Sequence, residues 1–111
     1  HCKAAADGKP LITKEHYKKM KPTAYIINAA RGNMVDEKDL NDALNEKLIA
    51  GAALDVYSKE PAKENVLFNN PKVILTPHIA ASTTEASIVV AEMVANQISD
   101  FLLNSVKINT V

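Results

Sequence analysis

The chain has 111 residues, enough for one small domain at most. Its thirteen basic and thirteen acidic side chains cancel, so charge gives no reason to expect nucleic acid or a membrane surface as partner. Apolar residues reach 47%, enough to build a core, and the single cysteine, Cys2, excludes an internal disulfide framework and fits a reducing, cytoplasmic setting. No apolar run is expected to reach the roughly 20 residues that span a bilayer, and no signal peptide is visible.

Residues 1–12 read as a loop broken by Gly8 and Pro10. Thr13 is the predicted N-cap of a short helix, 14–20, which Lys21-Pro22 closes. Its lysines, with Lys21, read as a solvated face. Residues 24–30 are apolar apart from Asn28, the pattern of a strand buried on both faces. Gly32-Asn33-Met34 turns the chain. Asp36 then caps a helix over 37–47, with Leu40, Ala43, Leu44 and Leu48 at helical spacing. Residues 49–56 form the next strand, whose Ala50 to Ala53 are small enough for close packing against a helix. A polar loop, 57–72, leads to a short β-branched strand at 73–76. Ser82-Thr83-Thr84-Glu85 reads as a capping box for the longest helix, 83–103, which carries a broad apolar face from Ala86 to Leu102. Val106 to Val111 look strand-like without a partner. Strand, helix, strand, loop, strand and helix predict parallel α/β layering. Opening on His1-Cys2 with no Met, the chain is expected to be part of a longer protein.

Each predicted strand runs into one chemically capable side chain. The first delivers Arg31, whose planar guanidinium can grip a carboxylate through two parallel hydrogen bonds. The second delivers Asp55, and Glu60 follows in Ser58-Lys59-Glu60-Pro61. Ending an apolar strand, Asp55 is expected to meet a polar ligand or a backbone donor, since an unpaired charge there would be costly. The third delivers His78, the side-chain type best suited to proton exchange near neutral pH. A carboxylate such as Glu60 beside it would orient the ring, as in many acid/base sites. Open α/β sheets place their chemistry at such carboxyl ends. His16 is expected to be exposed, and the three histidines and Cys2 show no zinc-type spacing.

Ile27-Asn28-Ala29-Ala30-Arg31-Gly32, Ala52 to Pro61 and Leu75-Thr76-Pro77-His78-Ile79, in that order and spacing, resemble the D-isomer-specific 2-hydroxyacid dehydrogenases. The likeness runs from about residue 11 to the end. Ala81 to Ala86 and Ser99 to Leu103 are most similar to the branch of that family that oxidises 3-phosphoglycerate to 3-phosphohydroxypyruvate in serine biosynthesis. The implied fold is the second half of a Rossmann-like parallel-sheet NAD-binding domain ending in a long C-terminal helix. Residues 1–111 would be a partial NAD-binding domain, with 83–111 returning toward a substrate domain. The resemblance implies catalysis by Arg31, Glu60 and His78 on a small 2-hydroxy or 2-oxo acid. It also implies NAD contacts from His1, Ala29, Arg31, Asp55, His78 and Ala80, and a homo-oligomeric full-length protein. Alternatives on the same scaffold are a glyoxylate/hydroxypyruvate or D-lactate reductase, and a non-enzymatic NAD-binding corepressor. Gly8, Gly32 and Gly51 are too dispersed for the family's G-x-G-x-x-G pyrophosphate loop.

Overall fold

A computed structural model describes Cys2 and residues 6–109. His1, expected near the cofactor, lies outside the described residues. The chain divides into two compact units, residues 1–78 and 79–111.

The first unit is built on three parallel strands, β1 (Tyr25–Asn28), β2 (Gly51–Leu54) and β3 (Val73–Leu75), in that spatial order. Register pairs Ile26 with Ala52 and Ala52 with Val73. Two short helices, α1 (Lys14–Tyr17) and α2 (Glu37–Asn45), accompany the sheet. Their buried Tyr17, Leu40, Ala43 and Leu44 join Ala52, Leu54, Ile49 and Leu67 in one core, against which Ile26, Val73 and Leu75 pack. Each fully buried aliphatic side chain here contributes about 1.5–3 kcal/mol.

The opposite face of the sheet is open. Tyr25, Ile27 and Ile74 are 71–79% exposed, contrary to the expectation that 24–30 would be buried on both faces. A continuous apolar run admits two-sided burial, but this unit supplies helices to only one side. The room at Gly51 is taken by the Tyr25 ring and the Lys72 carbonyl, both about 3 Å from where a Cβ would sit, rather than by a helix.

Element ends follow local hydrogen bonding. Asp36 caps α2 as predicted, accepting from Asp39 N at 2.9 Å. That helix stops two residues early because Lys47 is left-handed and Leu48 N reaches back to Ala43 O. α1 is shorter than the predicted 14–20, since Lys19 N and Met20 N bond three residues back rather than four.

The second unit holds α3 (Thr84–Asn104). Its N-cap is Thr83, whose hydroxyl accepts from Ala86 N at 3.1 Å. The expected Ser82 cap is displaced by one residue, because Thr83 is the last extended residue before the helix. A left-handed Ser105 ends it, and Val106–Asn109 continue without strand structure, against the strand-like reading of 106–111. The apolar face is present and none of its residues is buried within the unit. Against the sequence expectation, α3 is long and apolar enough, by length and composition, to cross a bilayer. Glu92 near its middle opposes that, since an acidic group at the bilayer centre costs at least about 2.5 kcal/mol.

Candidate active site

Asn28 ends β1 on the core side and is 5% exposed. Its side-chain amide donates to Arg31 O at 2.9 Å, and its Oδ1 accepts from Ala30 N at 3.1 Å. This closes Ala29 and Ala30 into a turn, so the strand stops at residue 28 instead of 30 and Arg31 leaves the sheet at a fixed angle. The sequence hint of this role is that a lone amide in an apolar strand must find partners when buried, though which partners is not encoded locally. Arg31 is exposed, with Nη1 donating to Ala30 O at 2.7 Å. Gly32 packs directly on the Tyr57–Ser58 peptide. A Cβ there would lie 1.8 Å from Tyr57 O, so the missing side chain makes room for backbone.

Asp55, the residue after β2, is 6% exposed. Its N donates to Asn28 O at 2.9 Å, and its carboxylate accepts from Thr76 Oγ1 at 2.5 Å. The expected polar environment of Asp55 is therefore supplied in part by the β3 exit. Tyr57 Oη donates to Thr76 O at 2.8 Å, and its ring meets Phe68 edge-on at a centroid distance of 6.3 Å. Burial, then the Asp55, Glu37 and Glu60 charges, raise the Tyr57 phenol above its ordinary pKa, keeping it a donor at neutral pH.

The central contact joins Glu60 to His78. Glu60 Oε2 lies 2.7 Å from His78 Nδ1, and Glu60 Oε1 accepts from Tyr57 N at 2.9 Å. The histidine bond first and the backbone donor second hold the Glu60 carboxyl below the usual glutamate range. With Nδ1 turned to Glu60, Nε2 is the ring nitrogen able to face a substrate hydroxyl. His78 is left-handed (φ 57°), which turns its side chain out of the line of β3. The pair borders a cleft of about 610 Å3, with Tyr57, Phe68, Leu75 and Pro77 among its walls.

Of the residues expected in the site, Glu60 and His78 are thus in contact, Asp55 stands behind them on Thr76, and Arg31 is tied to the same loop through Gly32. Ala29 lies in the turn beside Asn28. Ala80 belongs to the second unit. His16 is exposed, as expected, with Nδ1 toward Thr13 N and Oγ1.

The three strands run parallel, and Arg31, Asp55 and His78 follow their carboxyl ends, the edge at which open α/β sheets place their sites. Residues 1–80 match the model of the D-isomer specific 2-hydroxyacid dehydrogenase NAD binding domain, and the chain belongs to that family of NAD-dependent enzymes. It is 53% identical over 93 residues to a D-3-phosphoglycerate dehydrogenase of Synechocystis sp., covering 84% of this chain and 17% of that one. A glyoxylate reductase from Paecilomyes thermophila superposes with a TM-score of 0.82 at 33% identity, covering 97% of this chain and 33% of that one. D-lactate dehydrogenase with NAD+ from Lactobacillus jensenii gives 0.77 at 29% identity, covering 100% and 37%. The chain therefore spans between about a sixth and somewhat over a third of the length of these relatives.

Asp55, buried at the β2 exit, accepts from Thr76, which lines the cleft beside His78 and so places a polar group next to that cleft. The three dispersed glycines form no loop for a pyrophosphate.

Proposed function

We propose that this segment is the catalytic edge of a full-length NAD-dependent dehydrogenase that oxidises a D-2-hydroxy acid, with 3-phosphoglycerate as substrate. The Glu60–His78 contact at 2.7 Å carries the reading, because it is an acid/base group already oriented for proton transfer. Arg31 holds the substrate carboxylate bidentately and sets the hydroxyl against His78. His78 Nε2 takes the hydroxyl proton as the Cα hydride leaves, and Glu60 keeps the ring in place while it is charged. NAD, when bound, supplies the hydride acceptor. Asp55 and the backbone at Ala29 meet its nicotinamide side in this reading, and residues 83–111 lead toward a substrate domain. The protein works in the cytoplasm as a homo-oligomer and feeds serine biosynthesis.

Support for phosphoglycerate comes from the 53% identity to the Synechocystis enzyme and from the stretches around Ala81–Ala86 and Ser99–Leu103. A second reading, reduction of glyoxylate, hydroxypyruvate or pyruvate by the same trio, is favoured by the structural likeness to a glyoxylate reductase and a D-lactate dehydrogenase. A corepressor on this scaffold would retain the trio without turnover. Comparing kcat/KM for 3-phosphohydroxypyruvate, hydroxypyruvate, glyoxylate and pyruvate with NADH in the full-length protein separates the three. Preference for the phosphorylated acid supports the proposal. A tenfold preference for an unphosphorylated acid, roughly 1.4 kcal/mol of transition-state binding, moves the assignment to a reductase, and absence of turnover on all four ends the enzymatic reading.

A further inference from the structure

Glu60 lies in a polar loop, 57–72, with neither helix nor sheet bonds to hold it, yet its carboxylate must meet His78 closely. The loop is anchored from 21 residues away. Glu37, in the first turn of α2, accepts twice from Ser58: from the backbone N at Oε1 and from Oγ at Oε2, each at 2.8 Å. That backbone N belongs to the Tyr57–Ser58 peptide, whose carbonyl rests on Gly32. One peptide plane is thus fixed at both edges, by Gly32 at its oxygen and by Glu37 at its N–H. The preceding amide, Tyr57 N, pivots on the same Cα and donates to Glu60 Oε1 at 2.9 Å. Two consecutive amides therefore address two carboxylates, and tilting one moves the other. The anchor is firm, because α2 buries Leu40, Ala43 and Leu44 and is capped by Asp36. A carboxylate in the first helical turn is also favoured by the helix dipole.

We propose that Glu37 is a positioning residue of the site: through Ser58 it sets the Tyr57 amide that, with His78, orients Glu60. Glu37 touches neither substrate nor cofactor in this account. The kinetic arm of its test rests on the dehydrogenase reading, whereas the spectroscopic arm does not.

The spectroscopic arm is a carboxyl 13C titration of Glu60 in the 111-residue chain. Glu37→Ala is expected to raise the Glu60 midpoint by about half a unit or more, the scale of one weakened hydrogen bond to a charged group. Ser58→Ala, which keeps the backbone N–H, should leave that midpoint in place. Glu37→Gln loses the charge but keeps its length; it should give a smaller rise and faster amide exchange at Tyr57 and Ser58. In the full-length enzyme Glu37→Ala should lower kcat about tenfold while KM for NADH stays within twofold. An unchanged Glu60 midpoint in Glu37→Ala, with native amide shifts along β1 to β3, overturns the proposal. If Glu37→Ala does not fold, unchanged midpoint and exchange in Glu37→Gln overturn it equally. A full-length protein that turns over no 2-oxo acid fails the dehydrogenase reading and leaves the titration result standing.

Discussion

Glu60 and His78 stand 18 residues apart in the chain and 2.7 Å apart in space, and the pairing has a signed consequence with pH. The Glu60 carboxyl is held below its ordinary value of 4.5, first by the His78 bond and then by the Tyr57 N–H. A depressed carboxyl contributes fully above its unfolded pKa and loses the contribution as pH falls through the folded one. The loop should therefore keep its order from neutral pH down to about 4.5 and loosen below that. Carboxyl 13C titration checks this: the Glu60 midpoint should fall below 4.5, and a midpoint at or above it would mean that the pair does not form. Arg31 poses a different question, because it is exposed and, among the described residues, its side chain bonds only the neighbouring Ala30 carbonyl. Arg31→Lys should leave the melting temperature of the chain within a degree or two, as surface substitutions usually do. In the full-length enzyme it should cost about 10²-fold or more in kcat/KM, since an ammonium cannot reproduce the planar fork. Steady-state kinetics at near wild-type values would return Arg31 to the role of an ordinary surface residue.

At the scale of elements, the buried ring of Tyr17 joins α1 to the core but leaves its Oη without a hydrogen-bond partner among the described residues. Burial first, and the charges of Asp39 and Asp36 next, push that phenol far above its usual pKa, so it stays neutral. An unpaired buried hydroxyl costs about 1–3 kcal/mol. Tyr17→Phe keeps the ring and removes the cost, so urea denaturation should show the variant as stable as the parent or more stable by up to about 1 kcal/mol. A loss of 1 kcal/mol or more would reveal a partner for the hydroxyl. The order and type of elements were legible because apolar periodicity and Asp36, a residue that can act in only one way before α2, both follow from local chemistry. Arg31 and His78 stood out as candidates because each follows an apolar run, whereas Glu60, in a polar loop, stood out only as a carboxylate that could orient a histidine. Asn28 was not legible, because a strand amide shows its function only once its two backbone partners, Ala30 and Arg31, fold back upon it. Nor could pattern alone choose between Ser82 and Thr83 as cap, two adjacent hydroxyls separated only by which is the last extended residue. The open face at Tyr25, Ile27 and Ile74 depends on where helices settle, which a strand's own composition does not encode.

For the molecule as a whole, the question is how much of a dinucleotide three strands can hold. A pyrophosphate normally rests on a glycine loop and a helix N-terminus, where backbone N–H groups and the dipole meet its charge. Among its described residues the first unit offers neither in usable form. Its three glycines are scattered: Gly32 is filled by the Tyr57 carbonyl, and Gly51 by the Tyr25 ring and the Lys72 carbonyl. The N-terminus of α2 is occupied by the carboxylates of Asp36, Glu37 and Asp39, which bond amides and repel an anion. At α1, Lys14 N is already taken by Asp39 at 2.8 Å. On the proposed reading the nicotinamide meets Asp55 and the His78 cleft, but a carboxamide bonded at one polar group gains only about 0.5–1.5 kcal/mol net per hydrogen bond. That falls short of the roughly 8 kcal/mol that micromolar affinity requires. Isothermal calorimetry of the 111-residue chain against NAD should accordingly show no saturable heat below about 1 mM. Micromolar binding would mean that the strand ends from Asn28 to His78 grip the cofactor by themselves, and the pyrophosphate argument would then be wrong.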